Sequence, residues 1–269
     1  MSDFLKEMAR SSAVRAAAVQ KSFTAAELSK PVYPLKLEGF GLIAEIKTRS
    51  PAEGELATGA GSRTDRARLY VQGGAAAISV LTEPDRFDGD LAHVIEVVNA
   101  VAGSATAVMC KDFLVDPIQI LEAKAAGASG VLLIAAMLDV EQLQSMLDCA
   151  FEHDLFVLLE SFDELDLEHS VHLLQRVKYR QQARDNKFLI GINTRDLRTL
   201  FVDPGRLKRF GPKLPAGITC VAESGQKTAQ DAADVAGWGY SMALVGTALM
   251  RAEDPAALIA DMVKAGRAA

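Results

Sequence analysis

The sequence predicts an α/β fold: a closed (β/α)8 barrel over residues 39–269, preceded by a short N-terminal helical extension over 1–38. Three observations predict it. Eight short apolar runs recur along the 269 residues, each followed by a polar or Gly-containing turn and then a helical pattern. The runs are continuously apolar, as parallel strands buried on both faces are. Most of them end in an ionisable, amide or hydroxyl side chain or a glycine, which is where a barrel assembles its chemistry. A doubly wound open sheet fits less well, because Gly39 and Gly41 precede a strand instead of following one, and no Gly-x-Gly-x-x-Gly fingerprint is present.

Residues 1–38 include FLKEMARSSAVRAAAV, a helical pattern expected to pack across one end of the barrel. The apolar runs then fall at 42–46, 76–81, 105–109, 130–134, 155–159, 188–192, 218–221 and 242–245. Between them PIQILEAKAAGA, VEQLQSMLDCAFEHD and TAQDAADVAGWG carry apolar residues at helical spacing and end near Gly or a charged residue. The stretch GELATGAGSRTDR (54–66) reads as a loop and lacks the Gly-Lys-Ser/Thr of a P-loop. The basic stretch HLLQRVKYRQQARDNK (172–187) reads as the solvated face of the fifth helix.

Composition narrows the function classes. Hydrophobic residues make up 49% and aromatics only 6%, so the core is expected to be aliphatic. A net charge of −6 argues against nucleic acid as a partner. Cys110, Cys149 and Cys220 contain no CxxC pair and suit a reducing compartment better than a disulfide framework or a zinc site. The N-terminus lacks the apolar core of a signal peptide, and no segment is apolar enough to span a bilayer. A cytoplasmic protein without membrane attachment, monomeric or weakly homo-oligomeric, is expected.

The strand ends carry the candidate site. In LIAEIKTRSPAEG (42–54), Glu45 and Lys47 stand two apart on a strand and therefore share a face. Lys111 follows the third run, Glu160 the fifth, Asn193 and Arg195 the sixth, Glu223-Ser224-Gly225 the seventh and Gly246-Thr247 the eighth. The second and fourth runs end in apolar residues and supply wall. Strands 7 and 8 form the usual phosphate corner of such barrels, where Gly225 and Gly246 let backbone N–H groups approach an anion and Lys47 adds charge. His169 and His172 lie three apart on a helix without a carboxylate or Cys partner and read as surface residues; His93 and His153 read as structural. Acid–base work therefore falls to Lys and Glu, with shifted pKa values.

In order along the chain, AEIKTRSP, SVLTEPDRFDGDL, KDFLVDPIQILEAKAAGASGVLLIAA, the Glu of VLLESFDEL, GINTRDL, AESG and VGTALMRAEDP closely resemble indole-3-glycerol phosphate synthases, over about residues 40–255. The resemblance implies a phosphosugar–anthranilate substrate, 1-(2-carboxyphenylamino)-1-deoxyribulose 5-phosphate, and no metal or organic cofactor. It implies catalytic roles for Glu45, Lys47, Lys111, Glu160, Asn193 and Ser224, with Lys111 as the general acid for ring closure. Phosphate would rest on Lys47, Ser50, Gly225, Gly246 and Thr247. The anthranilate ring would meet Pro51, Phe87, Phe113 and Leu133, while Arg195 and Glu223 hold the rim.

The chain departs from that family pattern in three places. Cys110 in MCKDF stands where an Arg is usual, Asp90 in FDGDL where a Ser is common, and the segment between the fifth helix and sixth strand is longer. The first is expected to bear on Lys111 or on ring specificity. A catalytically idle barrel acting as a binding or assembly subunit is the alternative, and intact strand-end residues count against it. A phosphosugar isomerase of similar fold fits poorly, because it needs no anthranilate pocket.

Overall fold

The computed structural model describes residues 3–50, 54–55 and 61–269. Its centre is a closed barrel of parallel strands: β1 (Gly41–Ile46), β2 (Ala77–Leu81), β3 (Ala107–Lys111), β4 (Gly130–Ile134), β5 (Phe156–Ser161), β6 (Phe188–Asn193), β7 (Cys220–Glu223) and β8 (Met242–Val245). Each strand pairs in parallel with its neighbour in sequence, and β1 pairs with both β2 and β8 to close the ring. The (β/α)8 expectation is therefore met. Four strands reach past the apolar runs, so that Lys111, Glu160, Asn193 and Glu223 are rungs of the ladder. Backbone pairing is indifferent to side-chain polarity, and the ladder continues where hydropathy alone suggests a stop.

Alternation sorts each strand into two faces. Leu42, Ala44 and Ile46 of β1 face the helices, as do Val131 and Leu133 of β4. Ile43 of β1, Met109 of β3, Leu132 and Ile134 of β4 and Leu158 of β5 fill the barrel interior. Gly130 is glycine because a Cβ there would sit 2.4 Å from the Phe156 ring, which occupies the interior beside it.

Helix starts follow local signals. The helix Pro117–Ala126 begins with Asp116 as N-cap, Pro at its first turn and Gln119 completing a capping box, and it ends at Gly127 with φ 94°. Asp90 caps the helix Leu91–Ala100, its carboxyl accepting from Ala92 N at 2.8 Å. Asp and Ser cap about equally well, so that departure from the family pattern is conservative. The stretch 172–187 is not one helix: Glu164–Leu173 ends before a second helix, Val177–Arg184, begins. Likewise the expected loop 54–66 holds a short ladder, Arg49–Ser50 with Gly54–Glu55, and the start of a helix at Arg63 capped by Ser62.

The N-terminal helix α1 (Asp3–Ala18) lies over the end of the barrel where Lys111 stands. Leu5 and Met8 are buried, and Phe4 meets Phe113 edge-on at 6.0 Å between ring centres. Arg15 grips Asp112 with two hydrogen bonds of 2.9 and 2.8 Å, and Gln119 Nε2 donates to Ser12 Oγ at 2.9 Å. The chain then crosses to the opposite end, where Tyr33 N donates to Ser129 Oγ and Leu35 joins the interior cluster.

Candidate active site

A cavity of about 540 Å³ opens at the C-terminal ends of the strands. Its floor is a buried ion cluster. Glu45, 3% exposed, receives Lys47 Nζ on Oε1 at 2.7 Å and Lys111 Nζ on Oε2 at 3.2 Å. Burial alone would raise the Glu45 carboxyl, but the two ammonium groups outweigh it and hold the pKa at about 2. Burial disfavours the Lys111 ammonium, yet Glu45, Glu160 and Glu223 together raise it above the ordinary lysine range. Lys111 therefore holds its proton throughout the physiological range.

Glu160 stands just below the cavity, fully buried, and accepts from Asn193 Nδ2 at 3.1 Å. Asn193 is itself fixed, since its Oδ1 accepts from Arg195 N at 2.9 Å and its backbone carbonyl accepts from Arg206 at 2.6 Å. Glu223, 1% exposed, lies beside Glu160. Burial, then the charge of Glu160, push Glu223 well above the usual carboxylate range, and burial raises Glu160 as well.

The polar corner of the cavity is built from Ser224, Gly225, Gly246 and Thr247. Ser224 and Gly225 both have positive φ, 64° and 97°, which turns the chain sharply after β7. Thr194 Oγ1 and Gln226 Nε2 hold this turn by donating to Ser224 O at 3.2 and 2.9 Å. Gly246 has a reason beyond the approach of an anion: a Cβ there would lie 2.3 Å from Glu45 Oε1 and 3.0 Å from Lys47 Nζ. Its missing side chain leaves room for the ion pair. Replacing Gly246 by Ala is expected to push the pair apart, destabilising the protein by about 1–3 kcal/mol and lowering turnover roughly tenfold or more. Thermal unfolding and steady-state kinetics of one preparation check both.

The opposite wall is apolar. Phe87 and Phe113 line it with their rings 6.1 Å apart, together with Leu81, Leu132 and Ile134. Leu133 does not. It points outward into the helix-facing core, contrary to the expectation that it faces the site; its neighbours on the inward face, Leu132 and Ile134, line the cavity instead. Pro51 and the Ser50 side chain lie outside the described residues. Arg195 lines the rim beside Leu197 and Val202.

Four contributors were missed from the sequence. Phe4 reaches the cavity from α1, and Asp112 ties that helix to the residue after Lys111. Asp112 also accepts from Thr82 Oγ1 at 2.9 Å and from Phe113 N at 2.7 Å, so it shapes the turn that carries Lys111 and Phe113. Leu132 and Ile134 lie on one face of an all-apolar strand, which hydropathy does not single out; the other two depend on packing between distant segments. Cys110 is buried 3.4 Å from Thr82 Oγ1, outside the residues that line the cavity. The departure at this position thus lies behind the strand, in the helix-facing core. His169 and His172 are exposed, and among the described residues no histidine lines the cavity.

Comparison with known proteins agrees with this architecture. The family profile described as indole-3-glycerol phosphate synthase matches residues 5–262. An indole-3-glycerol phosphate synthase of Parafrankia sp. (strain EAN1pec) is 41% identical over 232 residues, covering 86% of this chain and 81% of the relative. The enzyme of that name from Mycobacterium leprae (strain Br4923) is 40% identical over 232 residues, covering 86% and 79%. Among solved structures, the thiamine phosphate pyrophosphorylase from Pyrococcus furiosus superposes with a TM-score of 0.57 at 15% identity, over 84% of this chain and 95% of that one. At that identity the likeness is one of fold.

Proposed function

The chain belongs to the indole-3-glycerol phosphate synthase family, and on that premise we propose that it is a carboxy-lyase of tryptophan biosynthesis, converting 1-(2-carboxyphenylamino)-1-deoxyribulose 5-phosphate to indole-3-glycerol phosphate. The observation that carries the reading is the position of Lys111. Its ammonium stands at the seam between the aromatic wall and the polar glycine corner, paired with Glu45. A substrate with an aryl group at one end and a phosphate at the other spans that seam, with its reacting carbonyl between.

The aryl group rests on Phe87, Phe113, Leu132 and Ile134, and the phosphate on the Ser224-Gly225 turn and the Gly246-Thr247 corner. Ring closure joins the carboxyl-bearing ring carbon to the ribulose carbonyl carbon. The carbonyl oxygen gains the electron pair of its π bond, and Lys111 gives it a proton. A lysine whose proton is held tightly still serves here, because a developing alkoxide is a far stronger base than an amine. The aniline nitrogen becomes positive in this step, and Glu160, oriented by Asn193, faces that charge. Loss of carbon dioxide returns the bonding pair to the ring and restores aromaticity. The new hydroxyl then leaves as water with a proton supplied by an ammonium, while a carboxylate removes the proton that forms the double bond. We assign that elimination to Lys47 and Glu45, which pair at 2.7 Å.

Glu45 draws Lys47 inward, so the lysine's first duty is to the ion cluster and its charge reaches the phosphate from there. The enzyme works on this small molecule in the cytoplasm; among the described residues no helix is long and apolar enough to cross a membrane. The test is direct: purified protein given the anthranilate-ribulose substrate should generate indole-3-glycerol phosphate, read by its fluorescence. A folded protein that forms none would favour the idle barrel.

A further inference from the structure

Glu223 has no part in the steps above, yet its surroundings are built with care. In β6, Gly191 pairs in register with Glu160 of β5 on one side and with Val221 of β7 on the other. A Cβ at Gly191 would lie 2.0 Å from Glu223 Oε1. The Glu223 carboxyl therefore leans across the middle strand toward Glu160, over ground that only glycine leaves open. Asn193 takes one oxygen of Glu160. Glu160 Oε2 and both oxygens of Glu223 are buried and accept no hydrogen bond among the described residues.

Charge accounting points the same way. Lys47 and Lys111 both spend their close contacts on Glu45. The groups facing Glu223 are Glu160 from β5, Lys111 from β3 and Glu45 from β1. Two ammonium groups against three carboxylates would leave a net negative charge buried with three oxygens unpaired, an expensive arrangement. A single proton makes the cluster neutral and gives those oxygens a hydrogen bond to share.

We propose that Glu223 carries that proton and donates it as a hydrogen bond to Glu160 Oε2, so that the two carboxyls enter the reaction as one acid and one base. Glu223 is a positioning residue: its O–H fixes the second oxygen of Glu160 as Asn193 fixes the first, and no proton leaves the pair when the substrate binds. Burial and the neighbouring charge both favour the neutral form of Glu223. The proposal rests on the functional reading above for the role of Glu160, although the shared proton itself does not.

Infrared spectroscopy of the substrate-free protein near neutral pH tests the proton directly. The wild type should show the C=O stretch of a buried carboxylic acid, and that band should vanish in Glu223→Gln. A wild type without the band, or a band that survives in Glu223→Gln, overturns the proposal. Kinetics give a second reading. Glu223→Gln, whose amide also donates a hydrogen bond, should stay within about tenfold of wild-type kcat and lose the alkaline fall that marks departure of the Glu223 proton. Glu223→Leu, which cannot donate, should lose about a hundredfold or more. Equal losses in the two variants, or an unchanged alkaline limb in Glu223→Gln, would show that Glu223 works as an anion. The infrared result needs no substrate, so a protein that forms no indole product but shows the band sinks the functional reading and spares the shared proton.

Discussion

Replacing Lys111 by alanine is expected to lower kcat by about 10³- to 10⁴-fold while the protein remains folded. Lys111 is the last rung of β3, and its side chain enters the cavity between the apolar wall and the glycine corner. On the proposed mechanism, removing it deletes the proton donor for ring closure and the positive charge that faces the developing alkoxide. Glu45 keeps Lys47 at 2.7 Å, and Glu160, which loses the charge of Lys111, takes up a proton in its buried site, so the fold should survive with a modest loss of stability. Lys111→Arg is expected to fail nearly as badly. A planar guanidinium does not occupy the place of a compact ammonium, and it gives up its proton far less readily. Product fluorescence measured alongside thermal unfolding checks the prediction, and turnover within a few-fold of wild type in a folded Lys111→Ala protein would remove Lys111 from its role.

Glu45→Gln is expected to reduce both stability and turnover, through the same ion cluster. The Glu45 carboxyl is held at about 2, below its ordinary value of 4.5, because two ammonium groups outweigh its burial. A carboxyl depressed on folding stabilises the native state above its unfolded pKa, and that stability is lost as pH falls through the folded value. The wild type should therefore lose about 3 kcal/mol from this group between roughly pH 5 and pH 2. Lys111 reports the same attraction from the other side, so the two shifts are one contribution. In Glu45→Gln that acid-side loss should be absent, and at pH 7 the variant should be less stable by about 2–4 kcal/mol, because two largely buried ammonium groups lose their counter-charge. Urea unfolding at pH 7 and pH 3 measures both. Wild type and variant with parallel acid dependence would mean that Glu45 is not clamped as described. Turnover should fall for a further reason: without Glu45, Lys111 loses the nearest counter-charge that holds its ammonium in the cavity.

The contrast between Leu133 and its neighbours shows where sequence reading reaches its limit. The apolar run at 130–134 was legible as a buried strand, but every residue in it is apolar, so hydropathy does not say which face looks inward. Register and barrel closure settle that, and they put Leu132 and Ile134 against the cavity. Gly246 and Gly191 follow the same logic. Each is legible as a glycine near a strand end, but its necessity comes from a carboxyl on another strand, Glu45 in one case and Glu223 in the other. The tie between Arg15 and Asp112 spans most of a hundred residues of chain, and no local pattern announces it.

The sequence by itself determined the alternation of strands and helices, the polar residues that end the strands and, through their order, the family. These are local properties: hydropathy period, caps and turn residues act within a few positions of one another. Only the tertiary structure decided that Lys47 and Lys111 share one carboxylate, that Glu160 and Glu223 meet across a glycine, and that α1 reaches the cavity with Phe4. Those meetings join groups far apart in the chain, and closure of the barrel in one register brings them within hydrogen-bonding and van der Waals reach.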